Sequence, residues 1–187
     1  MNFPRPELLL HPLIPPPLHG MTPRSILGDE WWNTQRHQAM ARNSYKCWAC
    51  NIPKLKAKKH KWLEGHESYN IDWKKGTCIL LEIVSLCHYC HNYIHRGRLN
   101  MMLIYGYINR EFFDDVIIHG DRLTEHLQKP PPIPQMAKWE EWVLIINGTP
   151  YPSRFSSQTD WATYYKWINT IGVDDNEQSL KQFRSLF

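Results

Sequence analysis

The sequence predicts an α+β protein: a central metal-stabilised module, an extended Pro-rich N-terminal arm before it, and a mixed α/β extension after it. Three observations carry that reading. Two CxxC pairs, Cys47-Trp-Ala-Cys50 and Cys87-His-Tyr-Cys90, stand 36 residues apart, and the stretch between them reads as a hairpin. Seven of the fourteen prolines fall before residue 24, which blocks helix and favours an arm lying across other structure. Beyond the prolines of 129–134, an apolar run reaches Asn147-Gly148, a pair suited to a tight β-turn.

Taken in order, residues 1–45 comprise the arm and a leading helix, in which Asp29 stands as cap and Trp32, Ala39 and Met40 share a side. Residues 46–100 form the metal module, with short strands expected at Trp62–His66 and Ile79–Val84 and a helix beginning near Cys90. In 101–129, Phe112, Phe113, Val116 and Ile117 recur at helical spacing, and Gly120 is expected to interrupt that helix. The prolines of 129–134 make a stiff boundary. Residues 130–187 supply a hairpin whose second strand, bearing Pro150 and Pro152, belongs at a sheet edge. A helix follows, with Asp160 as cap and Trp161, Tyr164, Tyr165 and Ile168 as its apolar stripe, and then a short final helix.

With 187 residues and 42% hydrophobic content, the chain can bury a sizeable core. No run approaches a membrane span, and the first apolar stretch is too short and Pro-broken for an export signal, so a cytoplasmic address is expected. For a phage-encoded chain that means the host cytoplasm. Five cysteines in such a setting argue for metal rather than a disulfide framework. Four thiolates from Cys47, Cys50, Cys87 and Cys90 make a closed structural Zn²⁺ site, and Cys78 is left to packing.

Charge is uneven. Residues 1–100 carry 14 Lys/Arg against 7 Asp/Glu, and the remainder 8 against 11, so a polyanion should prefer the first part. Lys54, Lys56, Lys58, Lys59 and Lys61 crowd into eight positions directly after the first knuckle, where nucleic-acid backbone is the natural counter-charge. Such contacts carry no base sequence.

The ten-residue run Leu86–His95 holds three histidines beside its two cysteines. His91 and His95 are four apart, which puts both imidazoles on one helix face. His66 and Glu67 supply another metal-capable pair between the knuckles. Five of ten histidines lie in 60–95, which points to a second site beside the first.

On these residues the chain resembles the HNH endonuclease family. The run LCHYCHNYIH is similar to that family's LCxxCHxxxH ending, and the wider pattern from Cys47 to Gly97 resembles small HNH proteins of phages and bacteria. The resemblance implies a treble-clef, ββα-metal module in which a zinc is wrapped by four cysteines. It also implies a second divalent ion, Mg²⁺, Mn²⁺ or another, serving hydrolysis of DNA phosphodiesters by nicking or double-strand cleavage. His91 and His95 take metal-ligand places. Aligned through Leu63-Glu64, His66 is the remaining ligand and Glu67 the base; shifted by one residue, His66 becomes the base. Arg96 and Arg98 follow the helix and are placed to clamp phosphate. Glu82 stands where the family has its middle Asn. His88 reads as a hydrogen-bond partner of the site or a phosphate contact, and Asp72 as a weaker candidate. The alternative is a catalytically silent zinc module that binds nucleic acid or inhibits a protein partner, with Glu67 and Glu82 as its support.

Overall fold

The computed structural model describes residues 3–133, 135–152 and 158–186. It is α+β, with a four-stranded sheet in the order β1-β2-β3-β4 and six α-helices: α1 Pro23–Arg42, β1 Glu64–Asp72, β2 Thr77–Leu86, α2 His88–Ile94, α3 Arg96–Ile104, α4 Arg110–Thr124, β3 Val143–Ile146, β4 Thr149–Pro152, α5 Gln158–Ile171 and α6 Glu177–Arg184. No helix among the described residues is long and apolar enough to cross a membrane.

The chain forms two compact units that cut across the four consecutive segments read from sequence. The first comprises Met1–Pro12, Gln35–Ser68 and Leu81–Pro131, and the second Leu13–Thr34, Tyr69–Leu80 and Pro132–Phe187. The boundary near Pro131 falls within the proline run, whose ring-locked backbone cannot continue a helix. Of the other boundaries, one lies in the arm after Pro12 and three fall inside α1, β1 and β2.

In the first unit the arm is not simply extended. Pro6–Leu10 makes a 3₁₀ turn that buries Leu8 and Leu9 and packs on α2 and α4. The Arg5 amide donates to the Trp48 carbonyl at 2.7 Å, and its guanidinium Nη1 meets Glu82 Oε1 at 2.6 Å. Glu82, at the position where the resemblance places the middle Asn, therefore serves as the arm's anchor. Trp48, fully buried, donates its amide to Ser85 and its indole N–H to Ala39, tying the first knuckle to the ends of β2 and α1.

Helix α2 starts at His88, earlier than the sequence suggested, and α4 runs through Gly120 without interruption. A Cβ at Gly120 would run into the Tyr93 ring, so this glycine permits close approach of α2 and α4. Tertiary packing overrides the residue's poor helix propensity here.

The second unit is held by an apolar cluster that includes Leu18, Cys78, Trp142, Leu144 and Ile146, with the predicted stripe Trp161, Tyr164, Tyr165 and Ile168 of α5. Burial pushes the Cys78 thiol up to about 12, as suits a packing cysteine. β2 pairs in parallel with β3 from Thr77↔Val143 to Ile79↔Ile145, and β3 pairs antiparallel with the edge strand β4 through Asn147 (φ 52°) and Gly148 (φ 81°). Asp160 lies in the first turn of α5 rather than at its cap. Asp72 ends β1 and braces the turn that follows: its Oδ1 accepts from the amides of Lys74 and Lys75 at 3.1 and 3.0 Å, which accounts for it without a catalytic role. Asp29 pairs with Arg24 at 2.6 Å, and α1 kinks at Gly28 (φ 84°) just before it.

Candidate metal centres

Both sets of metal-capable residues converge within the first unit. The sulfurs of Cys47, Cys50, Cys87 and Cys90 lie within 4.8 Å of one another, and Cys50 and Cys87 are 3.8 Å apart. A tetrahedral site with metal–sulfur bonds of about 2.3 Å has edges of about 3.8 Å. The local backbone explains the convergence. Asn51, at φ 59°, closes a turn in which its amide donates to the Cys47 carbonyl, while Cys87 is the residue just before α2 and Cys90 lies in that helix's first turn.

Charge makes the donor set fit a cation. Burial opposes ionisation of Cys47, but hydrogen bonds from Cys50, Cys87 and Cys90 outweigh it and hold that thiol well below its ordinary value. The Cys87 and Cys90 thiols are pushed up, chiefly by their bonds to Cys47 and Cys50. Four sulfurs so close cannot all ionise without a positive charge between them, and a divalent ion supplies it. His119 on α4 places Nε2 3.3 Å from Cys90 Sγ, a donor position next to the cluster.

The second set comprises His66, His91 and His95, each with a donor nitrogen within 4.8 Å of the others. His66 sits on the face of β1 shared with Glu64 and Ser68; His91 and His95 are one helical turn apart. The three rings meet edge to face, with centroids 5.4 Å (66–91), 4.9 Å (66–95) and 4.7 Å (91–95) apart. Burial, then the neighbouring imidazoles, holds His66 well below its ordinary value, and the same causes bring His95 down to about 4. Both rings are neutral at pH 7 and keep a lone pair for a metal. His66 Nε2 is buried and has no hydrogen-bond partner in the structure, so it is an orphan donor atom that an ion would satisfy. These residues fit a second divalent ion.

Glu67 Oε2 lies 3.7 Å from His66 Nδ1, and burial raises its carboxyl pKa. His66 belongs to the imidazole set, and Glu67 stands beside it outside that set.

Glu64 entered the sequence reading only as an alignment anchor. Its carboxylate bridges two histidines, with Oε1 2.6 Å from His88 Nδ1 and Oε2 2.7 Å from His91 Nδ1. Burial works against its ionisation, yet these two contacts prevail and hold the carboxyl well below the usual range. The i, i+2 spacing from Glu64 to His66 is the signal that could have found it, since both side chains face α2. His11, in the arm, was also missed. Its ring lies 5.4 Å from that of His66, with Nδ1 2.8 Å from the Pro12 carbonyl. No local pattern ties residue 11 to residue 66.

The basic residues divide. Lys58 and Lys59 place their ammonium groups 5.3 Å above the rings of Tyr89 and Phe112, Lys61 donates to the Ala57 carbonyl, and Lys56 is exposed with Lys54 half-buried beside it. Arg96 lies over the Tyr93 ring at 4.7 Å. Arg98 contacts Asn92 at 3.4 Å, and its charge is one of those that lower the His95 pKa.

Comparison with profiles of known families, with curated proteins and with solved structures finds no match to this chain.

Proposed function

We propose that the protein is a metal-dependent endonuclease of HNH type that hydrolyses DNA phosphodiesters. The observation that carries this reading is the three-imidazole set His66, His91 and His95 beside the four-sulfur set, in one unit and on adjoining strand and helix. The four cysteines hold Zn²⁺ and fix where β2 hands over to α2. The three histidines hold the second ion, and an all-imidazole donor set favours a transition ion such as Ni²⁺ or Zn²⁺ over Mg²⁺. When bound, that ion neutralises charge at the phosphate and stabilises the departing sugar oxygen.

The chain's own groups do the rest. Glu67 accepts a proton from the attacking water as the water oxygen bonds to phosphorus and the phosphorus–sugar oxygen bond breaks. Glu64 brings a carboxylate oxygen 2.7 Å from His91 Nδ1 and so sets negative charge directly behind that ligand. Lys54, Lys56 and Arg98 supply positive charge for the backbone of the DNA.

Glu82, engaged by Arg5, and Glu67, a carboxylate in the base place, favour the second reading, a silent zinc module that binds nucleic acid or a protein. Supercoiled plasmid incubated with zinc-replete protein and Mg²⁺, Mn²⁺ or Ni²⁺ separates the two. The nuclease converts it to nicked or linear forms, and a His66/His95 double substitution does not. Intact supercoils with all three ions overturn the nuclease reading.

A further inference from the structure

The loop between the first knuckle and β1 builds a flat aromatic surface that the hydrolytic reading leaves unused. Trp62 and His60 stack with centroids 3.9 Å apart and planes within 8° of parallel. Trp62 nonetheless keeps 51% of its surface exposed. Behind it the support is continuous. His60 meets the His88 ring at 4.4 Å and 69°, and His88 stacks on Phe112 at 5.7 Å and 28°. His88 is also fixed by Glu64, the carboxylate that contacts His91.

An exposed tryptophan would ordinarily move among several rotamers. This one is braced from behind by a column of rings anchored to a carboxylate and a helix, so its open face is held ready. Lysines gather near it, while the carboxylates of Glu64 and Asp115 are engaged by His88 and by the Tyr89 hydroxyl. Lys58 and Lys59 sit over Tyr89 and Phe112 at the foot of the column, and Lys61 adjoins Trp62 in sequence. Lys59 keeps a left-handed backbone (φ 65°) that residues with a Cβ disfavour, so its position over Phe112 is held by the fold rather than by local preference.

We infer that Trp62 is a stacking platform for an unpaired nucleobase, with the neighbouring lysines on the flanking phosphates, so that the favoured substrate is single-stranded, frayed or flapped nucleic acid rather than continuous duplex. The reasoning is steric and electrostatic. A base inside a duplex has both faces covered by its neighbours and offers nothing to a flat indole, whereas an unpaired base offers a π-face of any sequence. Positive charge around an exposed ring selects a polyanion that carries such rings. Successive contacts from Trp62 through His60, His88 and Glu64 to His91 link the platform to the imidazole set. This inference rests on the nucleic-acid reading above and adds the substrate's strandedness to it.

Binding of labelled oligonucleotides of equal length, one single-stranded and one fully paired, tests it by fluorescence anisotropy. The full-length, zinc-replete protein would carry His95→Ala so that neither is cut. Single strand should bind more tightly than duplex. Adding Trp62→Ala should weaken single-strand binding by about 5- to 100-fold, the range for one stacked base, with little change for duplex. Trp62→Phe, which keeps a ring, should retain most of the preference. Equal affinity for both forms, or a Trp62→Ala loss that is the same on both or absent from both, overturns the inference. Plasmid cleavage by the wild type is scored separately. Cleavage together with any of those results leaves the nuclease reading standing and removes only the platform, while an absence of both cleavage and binding removes both.

Discussion

The two donor clusters of the first unit differ in donor number and surroundings, and on the proposed reading that difference separates holding a fold from doing chemistry. The sulfur set is complete, since four thiols at tetrahedral spacing, three of them buried, leave no place for a further ligand. The imidazole set offers three nitrogens, with an orphaned Nε2 on His66, a carboxylate behind His91 and a buried acid beside His66; on the proposed reading these leave open coordination positions and tune a reactive ion. The sulfur set should therefore govern stability, and the imidazole set activity.

The largest expected effect is on the sulfur side. Cys87→Ser should abolish stoichiometric zinc and unfold the first unit, because zinc binding at such sites is worth on the order of 10 kcal/mol. Metal content and far-UV circular dichroism check it, and a folded, zinc-free variant would break the comparison. On the imidazole side, His95→Ala should remove plasmid cleavage while zinc content stays at one ion per chain. Loss of zinc in that variant would show that the two sets are a single structural unit.

Glu67→Gln sharpens the contrast within the imidazole set. If the carboxylate takes the water's proton, the rate should fall about 10²- to 10⁴-fold with affinity for the second ion little changed, as read from single-turnover rates and metal titration. Glu64→Gln should cost less, about 10- to 100-fold, and should appear mainly as weaker binding of the second ion, because Glu64 acts through His91.

Much of this was legible from spacing. The CxxC pairs and the four-residue step from His91 to His95 are local, and local periodicity translates directly into which side chains share a face. Asn147-Gly148 and the stripe on α5 were legible for the same reason. What escaped notice was non-local. Glu64 joins His88 and His91 across a strand–helix contact, His11 is delivered by an arm anchored through Arg5 to Glu82, and His119 reaches Cys90 from the next long helix. Gly120 misled because its propensity is a property of the isolated helix, whereas its role is set by the Tyr93 ring. The parallel pairing of β2 with β3 joins residues 77–79 to 143–145, a contact that no window of sequence contains.

The smallest expected effect is a pH dependence. His95 titrates near 4 in the folded chain because burial and the His91 ring disfavour its charge, whereas an unfolded histidine titrates near 6.5. Between those values the unfolded state binds more protons. Stability contributed by the neutral ring is thus full above about pH 6.5 and is lost as pH falls toward 4. Without added second metal, His95→Asn should flatten the fall in urea midpoint across that window, and an unchanged profile would count against a buried, neutral His95.

The most direct test of the division between the two clusters is an ion count. Zinc-replete protein is dialysed against Ni²⁺ and weighed by native mass spectrometry, alongside His66→Ala. The account predicts one zinc plus one nickel on the wild type and the zinc alone on the variant. A wild type that takes up no second ion, or a variant that takes up the same one, would contradict it.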